Sequence, residues 1–523
     1  MRHLFVLLWV LLVSPVAWAW HVQQLLPVVQ GDTDARIEAL STQMAQADAR
    51  WVGFLNALLQ DEIRYNAQGV WRAVDDQAIN VVTGAREPLP EDAQEVINNN
   101  RMRSEIESAL ATLNLFHPDA AQRRVAVKAL IQDPDASREP ALMRAMKQES
   151  DPDLAQAMSV ALAALRLDAE AVSTRIQAAR VLGDWAQPEA LQMLNRRLSS
   201  ETQVDVRSEL ARAIALVQSR LQWGERLSVL FTGLSQASIL LLIALGLAIT
   251  YGLMGIINMA HGELMLIGAY ATYVTQSVFA QWMPSAMNWY LVASVPLSFL
   301  AAAGVGALLE HLVLRHLYGR PLETLLATWG ISLILIQLMR SVFGAQNVAI
   351  ANPSWMSGSV TLMAGLTLPW NRVVILGFAL LVMIALSLLI ARTRLGLFVR
   401  GVTQNRAMAS CTGVNTRQID NLAFALGSGI AGLAGCALSQ VGNVGPEMGQ
   451  GYIVDSFMVV VLGGVGQLAG TVYAALGLGL MGKWIEGYSG AVLAKVAILL
   501  LVIAFIQKRP QGLFALKGRS VEN

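Results

Sequence analysis

The chain has 523 residues, of which 54% are hydrophobic and only 14% charged, with 42 glycines; a soluble protein carries roughly 25% charged residues. These values exclude a disordered chain and a purely soluble one, and the length implies more than one domain. The net charge of +1 is the sum of two unlike parts: residues 225–523 hold 16 Lys+Arg against 9 Asp+Glu, and residues 1–224 hold 22 against 28. No argument about nucleic acid rests on such a sum, and no nucleic-acid partner is expected.

At the amino terminus Met1-Arg2-His3 precedes an apolar run from Leu4 to Val13 and then Ala17-Trp18-Ala19. A basic start, an apolar stretch too short to span a bilayer and an Ala-x-Ala ending predict a signal peptide over 1–19, cleaved after Ala19, with an uncleaved signal anchor as the alternative; either way the residues that follow Trp20 are exported. Residues 20–110 read as an exported helical region. Ile37, Leu40, Met44, Ala47, Trp51, Phe54 and Leu58 recur at helical spacing, and turn signals in 63–90 predict short strands there. Residues 111–222 repeat themselves at an offset of 52: Arg123-x-x-Ala126-x-Lys128-x-Leu130 is echoed by Arg175-x-x-Ala178-x-Arg180-x-Leu182. Short helices broken by Asp-Pro turns resemble HEAT-like repeats in the periplasm, either a docking surface or a compact spacer. Both cysteines, Cys411 and Cys436, lie in the second half, so the exported part has no disulfide. Neither a catalytic constellation nor a metal-ligand spacing is visible, and His117 in Phe116-His117-Pro118 reads as a turn residue.

Residues 223–523 read as a membrane domain. No charge separates Arg226 from Glu263, or Glu263 from Glu310, and such gaps exceed the roughly 20 apolar residues a crossing needs. Crossings are expected near 227–250, 256–279, 289–313, 323–343, 371–391, 418–440, 453–482 and 488–507. Basic segments at Arg315–Arg320, Arg392–Arg406 and Lys508–Arg519 should be cytoplasmic. An exported amino-terminal half and a cytoplasmic tail demand an odd number of crossings, seven or nine, so one of the eight is misassigned. The suspect is 453–482, interrupted by Gly463-Gly464-Val465-Gly466; a matching interruption runs from Tyr251-Gly252 to Asn258. Two glycine-broken helices point to a transport path, because unwound backbone is tolerated in a membrane only where it lines a cavity. Gly463, Gly464 and Gly466 are therefore candidates for the path, against the simpler use of glycine in close helix packing. Asn258, His261 and Glu263 at the first break are costly to bury, so they either contact the solute or hold the broken helix by hydrogen bonds. Glu447 and Asp455 are expected to flank the outer mouth near the second break, as contacts for a binding protein or as solvated loop charges. Lys495 is expected to snorkel out of the last helix.

The string Asn258-Met259-Ala260-His261-Gly262-Glu263 followed by Gly268-Ala269-Tyr270, with Val461-Leu462-Gly463-Gly464-Val465-Gly466 and Lys508-Arg509-Pro510-Gln511-Gly512-Leu513-Phe514, resembles permeases of the branched-chain amino-acid ABC importers over about 225–515. The long exported extension resembles the urea-uptake subgroup. The resemblance implies a mainly α protein, a polytopic permease domain behind an exported, mostly helical domain, in a bacterial inner membrane. It also implies a second permease as a heterodimer partner, two ATPase subunits, a periplasmic substrate-binding protein and contact with membrane lipid. The chain has no GxxxxGK[ST] motif, so no cofactor is expected on it and ATP is used by its partners.

The segment 396–414 between two crossings resembles the family's coupling loop. Asn405 to Cys411 can form a short helix ended by Gly413, with Met408 and Ala409 as apolar contacts for an ATPase groove and Arg400 and Arg406 as steering charges. Urea has four N–H donors and one carbonyl acceptor and needs no countercharge. A branched-chain amino acid or another amide is the alternative substrate, and a zwitterion should meet compensation for both its charges. A membrane sensor, a more distant alternative, predicts a cytoplasmic signalling domain.

Overall fold

The computed structural model describes residues 22–44, 50–74, 77–255 and 257–514; the expected signal peptide lies outside them. Two compact units divide between Leu221 and Gln222.

In the first unit, helices α1 (Val22–Val29), α2 (Thr33–Met44), α3 (Arg50–Leu59) and α4 (Asn100–Asn114) flank an antiparallel sheet of order β4-β3-β2-β1-β5. Its strands are β1 (Ile63–Tyr65), β2 (Val70–Val74), β3 (Gln77–Asn80), β4 (Arg86–Glu87) and β5 (Gln94–Glu95). Leu25, Val28, Phe54, Leu58, Ile63 and Met102 close a shared apolar core. Buried Arg36 is satisfied by acceptors: Nε donates to Val28 O at 2.9 Å, Nη1 to Ile97 O at 3.0 Å and Nη2 to Asn98 Oδ1 at 2.6 Å.

The 52-residue echo is a three-helix unit rather than a helix pair. Helices α5 (Ala120–Gln132), α6 (Glu139–Gln148) and α7 (Pro152–Arg166) are followed by α8 (Val172–Trp185), α9 (Pro188–Ser200) and the start of α10 (Val204–Met254). A corresponding clip recurs in each copy. Arg123 Nη1 donates to His117 O and Pro118 O at 2.9 and 3.0 Å, and Arg175 Nη1 to Ala169 O and Glu170 O at 2.8 and 2.7 Å. Arg123 Nε donates to Glu149 Oε2 at 2.8 Å; Arg175 Nε lies 2.8 Å from Glu201 Oε2, without an aligned hydrogen bond. Each glutamate also accepts two backbone N–H groups, from Ser150 and Asp151 and from Thr202 and Gln203. The carboxylates are therefore held at about 2, Glu149 chiefly by the Arg123 hydrogen bond and Glu201 chiefly by the Gln203 N–H.

The second unit continues α10 and adds α11 (His261–Trp282), α12 (Tyr290–Leu312), α13 (Pro321–Phe343), a hairpin of β6 (Ser359–Met363) and β7 (Leu366–Pro369), α14 (Trp370–Arg392), α15 (Arg394–Gln404), α16 (Arg406–Cys411), α17 (Thr416–Leu438), α18 (Met448–Gly463), α19 (Leu468–Ser489) and α20 (Ala491–Lys508). Among the described residues seven helices are long and apolar enough to cross a membrane: α10, α12, α13, α14, α17, α19 and α20. The expected single crossing at 453–482 is corrected: it is two helices, α18 and α19, turned at Gly464 (φ +99°) and Gly466 (φ +76°), a conformation that costs little only for glycine. The expected crossing at 256–279 corresponds to α11, which starts later, at His261, because 257–260 is not helical, and which is not one of those seven.

Burial sorts the helices. The apolar stretch of α17 is 78% buried and that of α20 only 17%, so α17 is central and α20 turns Val492, Leu493 and Leu500 outward. Such an apolar face suits lipid, not water. Helix α17 can be central because glycines let backbones touch: a Cβ on Gly432 would lie 2.4 Å from Ser298 O, and one on Gly435 2.0 Å from Met265 O. Exposed Trp282, Trp289, Trp355 and Trp370 stand at the end of α11, just before α12, in the loop after α13 and at the start of α14, the placement of an interfacial aromatic belt.

Candidate functional site: two broken helices that meet

Helix α10 stops at Met254, and Gly255 (φ +66°) turns the chain out of it. The next turn is held by side chains: Asn258 Oδ1 accepts from Ala260 N at 3.0 Å, and Thr328 Oγ1 accepts from Met259 N at 3.1 Å. This Asx turn delivers His261, Gly262 and Glu263 into the first turn of α11. All three are buried, His261 at 0% and Glu263 at 1% exposure.

Helix α18 begins beside them. A Cβ on Gly449 would lie 2.6 Å from both Gly262 O and Glu263 Oε2, and one on Gly262 would lie 2.4 Å from Gly449 O. The first turns of α11 and α18 thus touch, and each helix N-terminus carries about half a positive charge. Glu263 answers both. Its Oε1 accepts from Ser332 Oγ at 3.0 Å, whereas Oε2 has no hydrogen-bond partner.

The ring of His261 faces α10, with Nε2 3.0 Å from Ile243 O. A carbonyl only accepts, so in the neutral ring the proton sits on Nε2 and Nδ1 is an acceptor. That Nδ1 and Asn258 Nδ2 are also without partners. The set left unmet is two acceptors and one donor, buried where an unmet polar group costs about 1–3 kcal/mol.

Sequence reasoning missed the opposite wall. Thr324, Thr328 and Ser332 recur every fourth residue on α13, all buried; the second holds Met259 and the third Glu263. The signal was present as three hydroxyls on one stripe of an apolar helix.

The other site candidates fall elsewhere. Gly463 packs on Gly470, Gly464 on Phe514 O, and Gly466 on Gly252; the nearest atoms to each belong to packing neighbours, none of them from 258–263. The two breaks still meet, at Gly252–Gly466, while Gly262 meets Gly449 at the opposite end of α18 from the second break. Glu447 is exposed and pairs with Arg340 in the last turn of α13. Asp455 is a correction: it lies within α18, not in a loop, at 15% side-chain exposure, 3.5 Å from Lys495. That pair also replaces the expectation that Lys495 only snorkels outward, and Gln236 and Glu486 line the same notch.

Between α14 and α17, the loop forms the expected capped helix. Asn405 Oδ1 accepts from Met408 N at 2.9 Å at the start of α16. At its end Gly413 N donates to Ser410 O and Val414 N to Ala409 O, both at 3.1 Å, with Gly413 at φ +87°, which is a Schellman cap. Met408 is 63% exposed, beside Leu397 and Phe398 on an open groove, and Arg400 is exposed. Two expectations are corrected. Ala409 is buried with Val402 and Ile419, facing the protein, and Arg406 is tied to Asp420 rather than free to steer.

Residues 229–506 match the family model described as branched-chain amino acid transport system / permease component. The chain is 29% identical over 296 residues to the high-affinity branched-chain amino acid transport system permease protein BraD of Pseudomonas aeruginosa, covering 55% of this chain and 95% of that protein. It is 29% identical over 294 residues to the permease protein LivH of Escherichia coli, covering 55% and 94%. With the probable LivH of Methanocaldococcus jannaschii it shares 25% over 307 residues, covering 55% and 92%. No solved structure matches the chain at a significant level. The broken-helix centre and the capped loop both fall within the matched residues, and the chain belongs to the branched-chain amino acid transport system permease family.

Proposed function

We propose that this protein is a transmembrane permease subunit of an ATP-driven importer whose solute is urea. The observation that carries the substrate is the unmet set at the break: acceptors on Glu263 Oε2 and His261 Nδ1 and a donor on Asn258 Nδ2. Urea offers N–H donors to the first two and its carbonyl to the third. Among the described residues no cation hydrogen-bonds to Asn258, His261 or Glu263, which suits a solute that brings no carboxylate.

Seven helices are long and apolar enough to cross, and α11 with the shorter α18 would bring the passes to nine. Either odd number supports an exported first unit and a cytoplasmic tail. A second permease, two ATPase subunits, one of them docking at Met408, Leu397 and Phe398, and a periplasmic binding protein near Glu447 complete the assembly; ATP is hydrolysed by the partners. The first unit is a periplasmic docking module.

An amino-acid substrate is the second reading. It is favoured by the names of the relatives and by the Asp455–Lys495 pair, which presents both charges a zwitterion needs. The two readings separate by mutation. In vesicles carrying the complete importer, Glu263→Gln should lower uptake of labelled urea about tenfold or more, the factor that corresponds to one unmet buried hydrogen bond, at unchanged amounts of complex. Leucine uptake that is lost in Lys495→Gln but unchanged in Glu263→Gln, with no urea uptake by the unmutated complex, would overturn the assignment.

A further inference from the structure

The capped loop has one contact that docking does not require. Arg406, the first residue of α16, donates through Nη2 to Asp420 Oδ2, and its guanidinium carbon lies 4.6 Å from the ring centroid of Tyr318. The carboxylate it holds is 1% exposed on the side chain. The next residue, Asn421, donates to Glu310 Oε2 on α12 at 2.7 Å and to Ala307 O at 2.9 Å. Ala409 and Val414 pack with Ile419 of α17 beneath the same loop. The first turns of α17 are thus fixed to α16 by an ion pair and an apolar contact, and to α12 by two hydrogen bonds.

Helix α17 then runs directly to the broken-helix centre. A Cβ on Gly246 would lie 2.4 Å from Gly427 O, 3.1 Å from His261 Cε1 and 3.3 Å from Ala431 N, so α17, α10 and the His261 ring meet at Gly246. With no side chain between the two backbones to yield, a displacement of α17 moves that contact. A buried carboxylate does not part readily from its cation, so a displacement of α16 is carried to α17.

We propose that Arg406 and Asp420 are positioning residues that latch α16 to α17 and transmit movement of the ATPase-facing loop to the Asn258–Glu263 break. This rests on the importer reading above. A pathway of contacts becomes coupling only when its removal separates two readouts. The test uses the complete importer in proteoliposomes with labelled urea and labelled leucine as probes, reading solute taken up per ATP hydrolysed and ATPase subunit retained. Asp420→Asn, which keeps the side-chain shape, and Arg406→Gln should each lower uptake per ATP about tenfold or more with ATPase retention unchanged. Arg406→Lys, which keeps the charge, should recover part of it. A ratio within twofold of the unmutated complex in both variants would overturn the latch. So would loss of ATPase retention or of assembly in Asp420→Asn, which would make the pair a docking or folding contact. If the unmutated complex takes up neither probe with ATP, the importer reading fails instead.

Discussion

At the scale of single residues, the centre depends on what glycine permits and what Glu263 lacks. Gly262 and Gly449 let two helix N-termini close on one carboxylate, and Oε2 is left a buried acceptor without a partner. Gly449→Ala should therefore abolish uptake, because its methyl would sit 2.6 Å from both Glu263 Oε2 and Gly262 O, and a clash with backbone is not relieved by a rotamer change. The check is uptake in vesicles at matched amounts of protein; normal uptake would mean that the first turns need not touch. Asn258, His261 and Glu263 are legible in the sequence because three polar residues in a charge-poor stretch of membrane helix carry a desolvation cost that demands a reason. Gly449 and Ser332 are not, since a glycine or a serine in a membrane helix costs little alone, and their meaning comes from helices distant in sequence.

Among elements, α16 is the most legible, because both of its ends are local chemistry. The Asn405 cap and the positive φ of Gly413 act within a few residues. Asn405→Ala should destabilise the helix by about 1 kcal/mol and Gly413→Ala by about 1–2 kcal/mol, each weakening ATPase retention. Met408→Asp, on the exposed side, should release the ATPase subunits outright, whereas retention unchanged in Met408→Asp would remove α16 as their dock. Ala409 reads as a docking residue in the sequence because helical spacing does not reveal which side of a six-residue helix packs inward. The repeated clips of the first unit show the reverse case. The 52-residue offset is readable, but the partners of Arg123 and Arg175 lie 26 residues further on, beyond any local pattern. Glu149 and Glu201 are held at about 2, against roughly 4.3 in an unfolded chain. A lowered carboxylate contributes its full stability above pH of about 4.3 and loses it as pH falls toward 2. Resistance of the first unit to pepsin, measured on the detergent-solubilised chain, should therefore drop over that window. In Glu149→Gln with Glu201→Gln it should already be weakened at the upper end of that window and fall less with acid. An identical acid profile in the double variant would show that the clips do not set it.

For the whole molecule, charge distribution carries the order of the domains and the need for an odd number of passes. The miscount lies in the segment where glycine lets a chain turn between two helices without any polar signal, so hydropathy merges α18 with α19. Helix α11 is visible by length but not by composition: Tyr270, Thr272, Thr275 and Gln276 are buried among its neighbours, so it needs less lipid-facing apolar surface than an outer helix. The substrate is the largest claim and rests on the smallest set of atoms, two acceptors and one donor at the break. Uptake of labelled urea and labelled leucine, measured side by side in cells carrying the complete importer, tests it most directly. ATP-dependent urea uptake that excess leucine does not inhibit is the expected result; leucine uptake without urea uptake would contradict a urea permease.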